Sequence, residues 1–130
     1  MNSAAVLYTP EILALTTRLA QFPLDDGFAL QATARSRSCG SQVTVGLELD
    51  ASGLIARVGV RAQACAIGQA AAAIFALEAA GRNAEQIAET ENGLRSWLRR
   101  EAERPDWRGL EVLDAARAYP ARHGAILLGW

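Results

Sequence analysis

The sequence predicts an α+β domain, a three-stranded antiparallel sheet covered by helices on one side. Three observations carry this. "QVTVGLELDASGLIARVGV" alternates apolar and polar residues on both sides of a turn, which is the pattern of a half-buried hairpin. A shorter alternating stretch precedes it, and the residues after it repeat at helical spacing. An antiparallel sheet with one wet face needs a helical layer on the other.

The elements follow in order. Thr9 is an N-cap with Pro10 at the first helical position. Ile12, Leu15 and Leu19 recur at helical spacing until Phe22-Pro23 ends the run. Asp25-Asp26-Gly27 reads as a solvated turn, after which Phe28, Leu30, Ala32 and Ala34 alternate as a first strand. In the second strand Val43, Val45, Leu47 and Leu49 share one face, opposite Gln42, Thr44 and Glu48. Asp50 to Gly53 forms a short loop with Gly53 left-handed. Ala56, Val58, Val60 and Ala62 continue the apolar face on the return strand. Ile67, Ala70, Ile74 and Leu77 make a helical stripe ending at Gly81, a C-cap. Asn83 caps another helix whose buried side is Ile87, Leu94, Trp97 and Leu98. "RPDWRG" is a loop, "LEVLDAARAY" is helical up to Pro120, and "ARHGAILLGW" holds a last short helix.

Composition narrows the function classes. The 130 residues make one domain, 1–130, and 51% hydrophobic content is that of a globular chain. A net charge of −1 leaves no basic footprint for nucleic acid and no polybasic membrane patch. All 13 cationic residues are arginine, so no Schiff-base amine exists. The opening "MNSAAVLYTPEIL" lacks the basic stretch and long apolar run of a secretory signal, so a cytoplasmic setting is expected. No P-loop or Ser-His-Asp order is present. Trp97, Trp107 and Trp130 read as core anchors or an oligomer contact.

The chemistry-bearing residues are few. Cys39 stands at the entry to the second strand, followed by Gly40; Cys65 stands where the third strand hands over to a helix. The tight hairpin between them brings both to one rim of the sheet. In a reducing compartment a disulfide is the weaker reading of this pair. If Cys65 occupies the first helical turn, the open N–H groups and the dipole there favour its thiolate, the form that binds metal or accepts sulfur. Inert packing thiols and a shared site are equally compatible with the pattern. Arg35, Arg37, Arg57 and Arg61 form a charged rim beside the thiols, facing an acidic partner or only solubilising the sheet.

"SCGSQVTVGLELDASGLIARVGVRAQACAIGQAAAAIF" resembles the core of the NifU N-terminal, IscU and SufU family of iron–sulfur cluster scaffolds, a SufE/NifU-like, IscU-like fold. Cys39 with Gly40, and Cys65, match two of the family's cysteine positions, while Asp50 and Gly53 match its hairpin turn. "LYTPEIL" resembles its first helix, and "YPARHGAILLGW" the SufU-type segment that carries the third cysteine. The resemblance implies a non-enzymatic scaffold that holds a transient iron–sulfur cluster, or an iron or zinc ion, on Cys39 and Cys65. It implies a cysteine desulfurase and apo iron–sulfur acceptors as partners, and a homodimer as one assembly. Two positions depart from the pattern: Ser41 stands where the family has aspartate, and Ala125 where it has the third cysteine. His123, the only histidine, lies two residues before that vacated position and is the third candidate ligand. Two alternatives accompany the scaffold: Cys65 as the persulfide carrier of a sulfur-transfer accessory, and a degenerate domain that serves only in protein interaction.

Overall fold

The computed structural model describes residues 9–37 and 40–130. Thr9 Oγ1 accepts the Ile12 N–H at 3.2 Å and starts helix α1, Pro10–Arg18, with Pro10 in the first turn where it costs no hydrogen bond. The helix tightens into a 3₁₀ turn, Leu19–Gln21, and stops at Phe22. Its apolar stripe is used: Ile12 is buried, and Leu15 and Leu19 pack against the core.

The sheet is antiparallel with order β1-β2-β3, formed by β1 Leu30–Arg35, β2 Gln42–Leu49 and β3 Ile55–Gln63. At its hairpin, Asp50 Oδ1 accepts the N–H groups of Ser52 and Leu54 at 2.8 and 3.0 Å, and Gly53 takes φ +82°. A register shift between Glu48 and Leu49 pairs Leu49 with Ile55. This bulge corrects the expected pattern, because Ile55 enters the core while Ala56 is exposed.

The helices cover one sheet face. Val43, Val58 and Val60 meet helix α2, Ala66–Ala79, through Ile67, Ile74 and a run of buried alanines that allow close approach. Helix α3, Ala84–Leu98, opens with a full capping box: Asn83 Oδ1 accepts the Gln86 N–H, and Gln86 Oε1 accepts the Asn83 N–H. Trp107 is buried and its Nε1–H donates to the Ile74 carbonyl at 2.9 Å, pinning the "RPDWRG" loop to α2. The stretch expected to be helical before Pro120 is helical, of the 3₁₀ type, over Leu110–Ala118 and entered through Gly109 at φ +98°. A second 3₁₀ turn, Pro120–Arg122, leads into helix α4, His123–Leu127.

The other sheet face is not bare. The Phe22 carbonyl accepts the Val60 N–H at 2.8 Å on the outer edge of β3, and the chain then crosses this face toward β1. Phe28 lies over Gly46 and Gly59, where a Cβ would come within 2.7 and 2.6 Å of its ring carbons. Phe28 therefore belongs to this strap, and β1 begins two residues later than the alternation suggested. Arg57 closes over the ring at 3.9 Å from its centroid and pairs with Glu48 and Asp25. These two carboxylates, Glu48 first, hold its guanidinium above the ordinary arginine value.

Candidate functional site

The register pairs Gln42 with Gln63, so the start of β2 and the end of β3 share one rim. One residue beyond that pair stand Ser41 and Ala64, and Cys65 follows. The β1–β2 connection closes at this rim, with the Ser36 N–H donating to the Ser41 carbonyl at 2.8 Å and the Gly40 N–H to the Ser36 carbonyl at 3.0 Å. Gly40 takes φ +71°, which explains a glycine after the cysteine. Cys39 itself lies outside the described residues, as does the opening of "LYTPEIL" before Thr9.

Cys65 is a free, half-buried thiol. It is the N-cap of α2 rather than a residue of its first turn, with extended backbone at φ −63° and ψ 168°. Its side chain makes no capping bond, so it leaves the open N–H groups of the first turn available beside the sulfur. Its carbonyl begins the helix by accepting the Gln69 N–H at 2.9 Å, and the Gln69 side chain donates to the Ala64 carbonyl at 2.8 Å. The thiol's backbone is thus fixed from both neighbours.

The C-terminal segment meets the same helix end. A Cβ on Gly68 would stand 2.9 Å from the Ala64 Cβ and 3.3 Å from the Ala125 Cβ. Ala125 is therefore packed against the first turn of α2, and it is 1% exposed. The position that the resemblance assigns to a third cysteine holds only a methyl group there. Ser41 is likewise buried.

His123 opens α4, two residues earlier, and is half-buried. Its Nε2–H donates to the Arg117 carbonyl at 3.0 Å. A carbonyl can only accept, so Nε2 carries a proton and Nδ1 is the ring nitrogen outside this bond. Arg117 is itself held, its Nε–H donating to the Trp97 carbonyl at 3.0 Å and its guanidinium lying 4.9 Å over the Trp97 ring. Among the described residues there is no group of three or more His, Cys, Asp or Glu side chains able to hold a metal ion. Also among them, no helix is long and apolar enough to cross a membrane.

Sequence reasoning missed two parts of this arrangement. One is the contact of Gly68 with Ala125, although a glycine inside an alanine-rich helix is itself a signal of close backbone approach. The other is the Arg117 carbonyl that orients His123, which no side-chain pattern can reveal.

No protein-family profile matches the sequence, and comparison with curated proteins gives no match. Solved structures do. The N-terminal NifU-like protein of Brucella abortus superposes with a TM-score of 0.84 at 27% identity, over 98% of this chain and 90% of its own. The chain has a NifU N-terminal fold. A candidate SUF-system iron–sulfur cluster assembly scaffold from Fervidobacterium islandicum AW-1 gives 0.82 at 21% identity, over 96% and 92%. A protein described only as hypothetical gives 0.65 at 17%, over 92% and 90%. The NifU-type architecture extends over nearly the whole length, including the C-terminal segment that brings Ala125 to α2.

Proposed function

We propose that this chain is a scaffold or carrier in iron–sulfur cluster assembly. Iron or zinc and sulfur are held by Cys39 and Cys65 with His123 Nδ1 as third ligand, and are passed to apo acceptor proteins after a cysteine desulfurase supplies the sulfur. The observation that carries this reading is the free Cys65 thiol at an uncapped helix start, within a fold like that of the NifU and SufU proteins. Open N–H groups beside the sulfur can donate to a bound sulfide, and the protein supplies ligands rather than turnover. A coordination position left open suits loading and release.

Anaerobic incubation with a desulfurase, cysteine and ferrous iron tests it. Charge-transfer absorption should develop, and Cys65→Ala should remove it. A protein that stays colourless and retains neither iron nor sulfide overturns the reading.

A second reading is favoured by Ser41, a poor metal ligand, and Ala125, which has no ligating atom, at two positions where the resemblance expects ligands. Here the Cys65 thiolate attacks the outer sulfur of the desulfurase persulfide, and the desulfurase cysteine leaves as a thiolate. A mass gain of one sulfur atom on Cys65 in iron-free buffer distinguishes it, and the absence of that adduct rejects it.

A further inference from the structure

Two clefts, of about 530 and 350 Å³, share Trp130 as a wall and follow one another along the edge strand β1 and helix α3, where they are taken together as one groove. The strand wall is Leu30, Ala32 and Ala34, alternate residues of a single face. The helix wall is Ile87, Glu91 and Arg95, spaced four apart on a single stripe. From Leu30 to Ala34 the groove runs about 13 Å at the rise of an extended strand.

Its two ends differ in chemistry. At one, Leu30 is 51% exposed and shares the cleft with Ile87. At the other stands Arg37, beside the Arg95–Glu91 pair. Arg95 donates to Glu91 Oε1 from both Nε and Nη2, at 3.1 and 3.0 Å, which cancels that charge locally. Arg37 has no carboxylate partner among the described residues. At the junction the Trp130 Nε1–H is buried without an acceptor among the described residues. A donor left unmet in this way is destabilising. The outer edge of β1 carries no backbone hydrogen bond to another described segment, whereas β3 donates from Val60 to Phe22 and from Ile55 to Arg82.

We propose that this groove docks an extended segment of a partner protein, with apolar side chains along Leu30 and Ile87 and a carboxylate on Arg37. The unpaired edge of β1 supplies main-chain pairing for such a segment, and the groove supplies its selectivity. A second copy of this chain fits less well. Antiparallel pairing of β1 with its own copy sets the apolar Leu30 end of one groove against the cationic end of the other. Arg37 is two residues from Cys39 and Gly124 adjoins His123, so on the scaffold reading the docked protein is one that exchanges cargo with the site. Docking itself does not depend on that reading.

The probe is a fluorescein-labelled decapeptide, alternating leucine and threonine and ending in three glutamates, titrated by anisotropy with metal-free protein. Saturable binding is expected, at least ten-fold weaker for Arg37→Glu and for Leu30→Glu, two exposed positions whose variants are checked for native circular dichroism. Replacing the three glutamates by lysines should weaken binding equally, and the Trp130 indole N–H resonance should shift on binding. Equal affinity for acidic and basic peptides overturns the proposal. So does unchanged affinity in both variants, or competition by free glutamate alone at the peptide's own concentration. If the peptide binds while reconstitution yields no cluster, the groove stands and the scaffold reading falls.

Discussion

Substituting Gly59 by alanine tests whether the strap over the second sheet face is as tight as its distances indicate. The added Cβ would lie 2.6 and 2.8 Å from two Phe28 ring carbons and 2.7 Å from the Pro23 carbonyl oxygen. Carbon contacts are optimal near 3.5–4.0 Å, so the strap must retreat by about 1 Å. Neither obstacle yields easily. Arg57 covers Phe28 at 3.9 Å, and the Pro23 oxygen belongs to backbone whose neighbour, Phe22, accepts the Val60 N–H at 2.8 Å. Overpacking of this kind costs about 1–3 kcal/mol, and replacing a strand glycine by alanine returns about 0.5–1 kcal/mol. The central net loss is about 1 kcal/mol, a fall in Tm of roughly 3–5 °C for a domain of this size. Scanning calorimetry measures it, and Phe28→Ala supplies the control. In that background the ring contacts are gone and only the Pro23 oxygen remains, so Gly59→Ala should cost less, a coupling that a double-mutant cycle reads directly. If Gly59→Ala is as stable as the parent, the strap is not packed as described.

Two further outcomes follow from local geometry. Asp50→Ala removes the acceptor for two hairpin N–H groups and should lower stability by about 1–2 kcal/mol in urea denaturation, with an unchanged m-value. Ala125→Cys adds a thiol beside the first turn of α2. It should cost about 1 kcal/mol in stability from the tight contact with Gly68 while raising the iron retained per protein after reconstitution; a drop in stability with no gain in iron separates packing from ligation.

Much of the fold was legible because the sheet face and helix stripe impose periods of two and 3.6 residues on the sequence. Val43 to Leu49, the Asp50–Gly53 turn, and the Thr9 and Asn83 caps all emerge as the pattern indicates. Three features did not, each for a physical reason. Phe28 keeps strand-like spacing yet turns onto Gly46 and Gly59, a tertiary contact between distant residues. The bulge at Glu48 and Leu49 shifts the face by one residue, so the core receives Ile55 and not Ala56. The 3₁₀ type of Leu110–Ala118 is the third, because nothing in helical periodicity separates 3₁₀ from α. At the site, the shared rim followed from the hairpin and matches the pairing of Gln42 with Gln63. Which imidazole nitrogen of His123 lies outside its hydrogen bond depends on a backbone oxygen, and residue types do not disclose it.

The bond from His123 to the Arg117 carbonyl also connects this imidazole to the Trp97 indole. Withdrawal of electrons from the ring at Nδ1 makes its remaining N–H a stronger donor, drawing in the peptide unit of a residue that stacks on Trp97. On the proposed function, a cation held at Nδ1 would therefore be felt at Trp97, a buried indole whose emission can be followed.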